Sequence, residues 1–160
     1  MNDVLIINYE PHLAADFKSL NMIWIKKYFS VEAADEEVLG NPDKNIIQKG
    51  GFIFFAKKDG EIAGTFALIR ENDGEYELAK MAVDERYQGK GIGHAMIRFS
   101  IDHARKLGAG KLVLFSNTKL KPAIHLYEKF GFREVPLEAS AYQRSNIKME
   151  FDLKANHEQD

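Results

Sequence analysis

A glycine-rich loop that joins a strand to a helix constrains this chain more than any other feature of its sequence. The loop runs from Val83 to Gly93 and places three glycines within five positions. Before it, Tyr76 to Val83 alternates in the strand period, and after it apolar residues recur at helical spacing from Ile92 to Leu107. The amides of such a turn point into one small space at the positive end of the helix dipole. The loop therefore predicts an anion site, most often for phosphate.

Three kinds of phosphate-binding loop join a strand to a helix, and the residues distinguish them. A nucleotide-binding P-loop ends in Gly-Lys followed by Ser or Thr, whereas Lys90 here precedes Gly91-Ile92-Gly93 and no Ser or Thr follows directly. The dinucleotide fingerprint needs a spacing of three glycines that this loop lacks. The stretch Gln88-Gly89-Lys90-Gly91-Ile92-Gly93 instead matches every fixed position of a Gln/Arg-x-x-Gly-x-Gly/Ala loop.

A second motif lies further along the chain, at Ala123-Ile124-His125-Leu126-Tyr127-Glu128-Lys129-Phe130-Gly131-Phe132. Its pattern, Ala-x-x-x-Tyr-x-x-x-Gly-Phe, predicts a short helix with one apolar face that ends at a glycine. With both motifs in this order, the chain resembles the GNAT superfamily of N-acetyltransferases. The resemblance extends from about Val4 to Leu153.

The resemblance implies a mixed α/β (α+β) fold. Its central sheet is mostly antiparallel, with about six to seven strands, and helices cover both faces. Two central parallel strands splay apart to admit the cofactor, and by their order these would be Tyr76–Val83 and Lys111–Ser116. A single domain is expected over residues 1–153, followed by a polar tail at 154–160.

Periodicity and turn residues predict the remaining elements. Helices are expected at about 12–29, 35–39 and 122–130, and strands at about 4–8, 52–58, 61–70, 133–135 and 146–153. Asp59-Gly60 is a strong signal for a two-residue hairpin between two of these strands. Gly108-Ala109-Gly110 separates the long helix from the second parallel strand.

The chemistry that the resemblance implies is transfer of an acetyl group from acetyl-CoA to a primary amine, by direct attack in a ternary complex. In the family the loop binds the pyrophosphate of acetyl-CoA, and the strand before it pairs with the pantetheine arm. On this chain the loop residues are Gln88, Gly89, Lys90, Gly91, Ile92, Gly93 and His94, and the strand residues are Met81 and Val83. Lys90 either adds positive charge or is a solvated lysine.

Glu77 is the candidate general base. Some family members place a catalytic glutamate six residues before the apolar residue that opens the loop, and the period-two alternation of side chains puts Glu77 on the same side of the strand as Val83. Glutamate has an ordinary pKa of about 4.3 and an amine about 10.4, so burial or a water relay is needed. Glu77 could instead be a solvated or salt-bridged residue, and Glu75 is a weaker competitor.

Tyr127 is the candidate general acid that would protonate the departing thiolate of coenzyme A. A tyrosine suits this role because its pKa of about 10 keeps it protonated at neutral pH. Its spacing from Ile124 and Phe130 also fits a packed aromatic on the apolar helix face. Many family members carry an asparagine three residues before the alanine of the second motif, where this chain has Leu120. Asn117 either replaces that cofactor contact or is a turn residue.

The composition argues against several other classes of function. The net charge of −2 gives no basic surface for nucleic acid, and the absence of cysteine excludes disulfides and thiolate catalysis. None of the five histidines pairs at a metal-ligand spacing within a helix, so no metal is expected. No run approaches the roughly 18 apolar residues of a membrane span. A cytoplasmic protein without a membrane partner is expected.

The acceptor is the least constrained part of the prediction. In this family substrate choice depends on the N-terminal helices and the loop before the last strand, here Leu20 to Val31 and Glu138 to Asn146. In that loop, Tyr142 and Arg144 could meet a carboxylate or phosphate of the substrate. A small-molecule amine or amino-acid-like acceptor and a protein acceptor both stay open.

Two alternatives to an enzyme also stay open. One is a non-catalytic acyl-CoA-binding or regulatory module with the same fold, and the other is a nucleotide-binding protein that uses the same loop. The sequence does not fix the oligomeric state, although a homodimer paired through the last strand would suit the β-rich C-terminal part.

Overall fold

The computed structural model describes residues 3–138 and 142–154, and seven strands in this part form one sheet. The strands are β1 (Val4–Asn8), β2 (Phe52–Lys58), β3 (Glu61–Asn72), β4 (Glu75–Val83), β5 (Lys111–Ser116), β6 (Arg133–Val135) and β7 (Ile147–Asp152). Their spatial order is β1-β2-β3-β4-β5-β7-β6. Only β4 and β5 are parallel among the paired strands described. The predicted mixed, mostly antiparallel sheet is confirmed.

Four helices connect the strands: α1 (Ala14–Tyr28), α2 (Ala33–Gly40), α3 (Ile92–Lys106) and α4 (Lys121–Phe130). The helix predicted at 12–29 begins with a 3₁₀ turn at Pro11–Leu13, and a π-helical turn at Asp43–Ile47 follows α2. None of the helices in the described residues has the length and apolar composition that a membrane crossing requires. The predicted tail lies outside the described residues except for Lys154, and the loop at 138–146 is described only at its two ends.

The two faces of the sheet bury separate apolar clusters. Side chains alternate along β2 and β3, so Phe54 and Phe66 pack with α3 while Phe55 and Ala67 pack with α1. The predicted helices on both faces are thereby confirmed. On the α3 face the approach is close at Gly64, where an added Cβ would lie 3.0 Å from the Ile92 side chain. A glycine at this position lets the first turn of α3 lie directly on the sheet.

A β-bulge in β4 interrupts the sheet at its centre. The register of β4 against β3 slips by one residue between Ala79 and Ala82, and Lys80 has a positive φ of 54°. Two residues of β4, Lys80 and Met81, therefore lie opposite the single β3 residue Phe66. Non-glycine residues seldom adopt this left-handed conformation, and when they do it often marks a functional region.

The bulge reverses the alternation of side chains along β4. Before it, Tyr76 and Leu78 belong to the cluster under α3, and after it Met81 and Val83 pack against the same cluster. Glu77 alternates with Tyr76 and Leu78, so it faces the α1 and α2 side of the sheet. The prediction that Glu77 shares a side with Val83 is therefore wrong, because it assumed an uninterrupted strand period.

β4 and β5 separate soon after they begin. Their parallel pairing includes only Glu75 to Glu77 on the β4 side. Beyond that point β4 continues to Val83 and β5 to Ser116, but the two strands do not pair with each other again over their described length. The predicted splayed pair is confirmed, and the β4 edge after the bulge at Lys80 keeps main-chain groups that β5 does not use.

The last strand does not lie at an edge of the sheet. β7 pairs with β5 along one side, and β6 covers Lys148 to Glu150 on the other. The predicted route to a homodimer, by pairing of free last strands, is therefore closed along that stretch. The dimer itself stays a prediction.

A histidine lies in an aromatic cluster at the C-terminal end of α3. The ring of His103 has its centroid 4.9 Å from Phe52, 5.1 Å from Phe54 and 5.6 Å from Phe99. Its Nε2 atom is buried and has no hydrogen-bond partner in the described part of the chain. Burial lowers the pKa of His103, and the charge of Lys106 lowers it further. The neutral imidazole is therefore the form that this cluster accommodates.

Replacing His103 with leucine should remove a pH-dependent part of the stability. The unfolded chain takes up a proton at this residue near its ordinary pKa of 6.5, while the folded protein takes it up only at lower pH. Stability is thus lost as the pH falls through the unfolded pKa toward the folded one. Urea titrations between about pH 7 and 5 should show wild type losing unfolding free energy relative to His103→Leu.

His125→Leu is the matched control, because His125 is exposed on α4. It should follow the wild-type pH dependence. Parallel curves for wild type and His103→Leu would contradict the role assigned to the buried imidazole.

Candidate active site

The loop before α3 has a backbone that its glycines permit. Asp84 accepts a hydrogen bond from the Arg86 amide at 2.9 Å and so starts a 3₁₀ turn. The chain then passes through Gly89 and Gly91, whose φ angles are 77° and 82°. Both angles lie in the left-handed region that favours glycine. Gly91 caps α3 without a side chain, so no side-chain oxygen occupies the amides at the start of the helix.

The amides of residues 89–94 are available to a ligand. The Gln88 amide donates to the Glu85 carbonyl at 3.3 Å, and the Ala95 amide donates to the Gly91 carbonyl at 3.0 Å. Between them, no main-chain amide has a hydrogen-bond partner within residues 3–138 and 142–154. The first turn of α3 also has no acidic side chain, so its positive dipole end is not neutralised. An anion would satisfy these donors.

A cavity of about 500 Å³ occupies the gap between β4 and β5 and extends to α1 on one face and α4 on the other. Its wall brings together six of the predicted site residues: Glu77, Met81, Val83, Gln88, Asn117 and Tyr127. The rest of the predicted set, at 89–94, does not line it and forms the separate amide cluster. The splayed strands thus connect two spaces on opposite faces of the sheet.

Glu77 is a half-buried carboxylic acid in the cavity wall. Burial raises its pKa to about 7, and the negative charge of Glu71 also raises it. The positive charges of Lys80 and Lys148 lower it without overcoming these effects. A carboxylate with a pKa near neutrality holds a proton more strongly than an ordinary glutamate, which suits a general base.

Tyr127 belongs both to the apolar core and to the cavity wall. It is 9% exposed, and its ring packs against Phe132 with centroids 5.9 Å apart. Burial raises the pKa of Tyr127 to about 12. The phenol is therefore protonated throughout the neutral range and keeps a proton to donate.

Comparison with known proteins identifies the family. The family model described as the acetyltransferase (GNAT) family matches residues 17–132. The chain belongs to this family. It is accordingly an acyltransferase, and the resemblance drawn from the two motifs is confirmed.

Two relatives and one solved structure agree with the assignment. The chain is 30% identical over 105 residues to the uncharacterized N-acetyltransferase YvbK of Bacillus subtilis (strain 168), an alignment that covers 64% of this chain and 68% of the relative. It is 37% identical over 87 residues to the streptothricin acetyltransferase of Streptomyces lavendulae, covering 53% of this chain and 46% of the relative. The chain thus spans less than half the length of this second relative.

The solved structure is a GNAT-family acetyltransferase from Staphylococcus aureus Mu50, at a TM-score of 0.84 and 24% identity. The superposition covers 95% of this chain and 100% of that one. At this identity the likeness shows the fold alone.

This GNAT chain departs from the family pattern before α4, as its sequence indicated. Leu120, at the position of the usual asparagine, is the residue that caps α4. The Asn117 side-chain amide donates to the Arg144 carbonyl at 2.8 Å, and its oxygen accepts from the Lys119 amide at 2.9 Å. Asn117 is therefore a turn residue. A contact between Asn117 and the cofactor stays a prediction, and it would use the second hydrogen of the same amide.

A buried ion-pair network forms the cavity wall beside α2. Asp35 is 0% exposed. Its carboxylate accepts two hydrogen bonds from the Arg144 guanidinium, at 2.7 and 2.8 Å, and one from Lys80 Nζ at 2.9 Å. Burial would raise the pKa of Asp35, but hydrogen bonds from Arg144, the Glu32 amide and Lys80 lower it to about 2. This carboxylate is therefore ionised throughout the range in which proteins function.

The same network holds the segment before β7. Lys80 Nζ donates to the Tyr142 hydroxyl at 2.6 Å, and Arg144 also donates to Glu32 at 3.3 Å. The Arg144 guanidinium lies over the Tyr142 ring, 4.4 Å from its centroid. These pairings compete with the predicted contact between Arg144 and a carboxylate or phosphate of the substrate, which stays a prediction.

Asp35 and Lys80 are not among the site residues predicted from the sequence. One local signal was available: the apolar residues of β4 change from even to odd positions, from Tyr76 and Leu78 to Met81 and Val83. Such a change of parity on either side of a charged residue is typical of a bulge. No comparable signal marks Asp35, whose partners lie 45 and 109 residues away in sequence.

Proposed function

We propose that this protein transfers the acetyl group of acetyl-CoA to a primary amine by direct attack in a ternary complex. The observation that supports this most strongly is the cavity whose wall includes Glu77, the β4 edge and Tyr127. Because the cavity reaches both faces of the sheet, a cofactor from one side and an amine from the other can meet within it. Such an arrangement favours direct transfer, since it holds both reactants in one place.

The residues present fit acetyl-CoA. Free amides at 89–94 suit a pyrophosphate, since helix N-termini bind phosphate groups without needing a cation. The β4 edge at Met81 and Val83 offers main-chain groups to the pantetheine arm. Lys90 and His94 are exposed, so they contribute chiefly through their amides. When bound, acetyl-CoA supplies a thioester whose carbonyl carbon accepts the amine.

In this proposal Glu77 removes the proton from the amine, either directly or through a water molecule. It faces the α1 and α2 side of the sheet, where the acceptor would enter, and its pKa of about 7 makes the carboxylate available at neutral pH. Glu77 lies on the face of the sheet opposite to Val83. This position is compatible with the role of a base, because the base must approach the acceptor rather than the pantetheine arm.

Tyr127 donates its proton to the departing sulfur of coenzyme A. Its position on α4, across the gap from Glu77, supports separate acid and base groups on the two sides of the thioester. Burial keeps the Tyr127 phenol protonated at neutral pH, so its proton is present when the thiolate departs.

The acceptor that we propose is a small molecule with a primary amine. One relative is named as a streptothricin acetyltransferase, which supports a small acceptor. The half-buried aromatic residues Trp24, Phe29 and Tyr142 in the cavity wall also favour a compact organic amine.

Tyr127→Phe should lower turnover by about a hundredfold or more, the range expected for loss of a general acid, while acetyl-CoA affinity is retained. Release of coenzyme A thiol from saturating acetyl-CoA with primary amines measures turnover, and the absence of cysteine removes any background from the protein. Tyr9→Phe, at a half-buried tyrosine outside the cavity, should behave as wild type. Unchanged turnover in Tyr127→Phe would exclude the proposed acid.

Glu77→Gln should abolish the rise in kcat/KM that the wild type shows as the pH increases through about 7. The rise occurs because the ionised carboxylate is the active form of a base. Glu71→Gln is the informative companion, since removing that negative charge lowers the pKa of Glu77 and should move the rise to lower pH. A Glu77→Gln profile that keeps the wild-type rise would assign the base to another group.

A further inference from the structure

The acceptor side of the cavity contains two cations that a buried carboxylate already neutralises. Lys80 and Arg144 both line the cavity, yet their side chains are only 5% and 15% exposed. Each is bound to Asp35, which does not itself contribute to the lining. With Glu32 as a further partner of Arg144, the group contains two positive and two negative charges. This group of side chains is therefore neutral in sum.

This neutral group cannot readily rearrange to release a cation. Asp35 is held in place by the Glu32 amide at 2.8 Å, within the capping box that starts α2. Its other partners come from the β4 bulge and from the segment before β7. One carboxylate thus joins three separate parts of the chain.

We propose that Asp35 is a specificity-determining residue for the acceptor. By binding Lys80 and Arg144, it makes the site accept amines that have no acidic group and reject those with a carboxylate beside the amine. The inference rests on the proposed function, since it concerns the amine that the site acetylates.

The physical reason is desolvation. A substrate carboxylate that enters this part of the cavity loses water, and among the described residues the buried cations there are already paired with carboxylates. It also lies near Glu71 and Glu77, which repel it when ionised. Of the other lining cations, Arg70 is paired with Asp73, and Lys49 is exposed and so offers only a screened charge.

Removing the negative charge of Asp35 should reverse this preference. Of its two ion pairs the Arg144 guanidinium would keep only the longer one with Glu32, and its planar donors suit a carboxylate. Lys80 would lose its ion-pair partner in the same change. The variant would therefore gain a binding partner for the anionic group that the wild type rejects.

The test compares wild type with Asp35→Asn on three matched pairs of acceptors: tyramine and tyrosine, histamine and histidine, and 1,5-diaminopentane and lysine. Within each pair the carboxylate is the only difference. Thiol release gives the ratio of kcat/KM for the amine to that for the amino acid. Wild type should prefer the amine by at least about tenfold, and Asp35→Asn should shift the ratio toward the amino acid by a similar factor.

The ratio separates specificity from structural damage, because a distorted site lowers both members of a pair together. Asp102→Asn makes the same chemical change on the exposed surface of α3 and should leave the ratio unchanged. If Asp35→Asn fails to fold because two buried cations lose their partner, Glu32→Gln removes the other negative charge of the group while Asp35 still binds both cations. It should shift the ratio in the same direction by a smaller factor.

An unchanged ratio in folded Asp35→Asn, or in Glu32→Gln where Asp35→Asn does not fold, would overturn the inference. A wild-type preference for the amino acids would also overturn it, while leaving acetyl transfer to an amine intact. If acetyl-CoA binds but no member of any pair releases thiol, the proposed function itself is overturned and the inference with it.

Discussion

The bulge at Lys80 is the structural feature on which the whole site depends. A regular β4 would carry Glu77 and Val83 on one face and could continue to pair with β5. The extra residue instead turns the strand, and the pairing with β5 ends after Glu77. The opening between the two strands provides both the cavity and a free main-chain edge. A cofactor site at the centre of a sheet thus follows from one irregularity in one strand.

The left-handed conformation of Lys80 needs compensation. A non-glycine residue in this region costs on the order of 1–3 kcal/mol and persists only when its surroundings fix it. Here the side chain is tied to Asp35 at 2.9 Å and to the Tyr142 hydroxyl at 2.6 Å. The ion pair that neutralises the acceptor wall therefore also stabilises the bulge. The same contacts of Lys80 therefore determine both the shape of the site and its charge.

The pKa values of two carboxylates at the site, Asp35 and Glu77, shift in opposite directions because their surroundings differ. Asp35 accepts hydrogen bonds from Arg144 and Lys80, and its pKa falls to about 2. Glu77 lies in the cavity wall, where burial and the negative charge of Glu71 raise its pKa to about 7. The first is suited to a fixed negative charge and the second to proton transfer.

The sequence predicted most of the fold because two local motifs lie at the positions that define it. The glycine loop and the Tyr127 helix each have a fixed spacing, and the family assignment confirms the fold that they implied. The bulge was missed because period-two reasoning assumes an uninterrupted strand. The partners of Arg144 were missed because they come from α2, far away in sequence, and only the folded chain brings them together.

Hydrogen exchange of the backbone amides, with and without acetyl-CoA, is the measurement that we would make first. It measures the exchange rates of the amides of residues 89–94 and of the β4 edge at Met81 and Val83 in a single experiment, with ATP as the control ligand. Acetyl-CoA should protect both segments and ATP should protect neither. Absence of protection by acetyl-CoA, or protection confined to strands away from the gap, would show that the opened sheet is not the cofactor site.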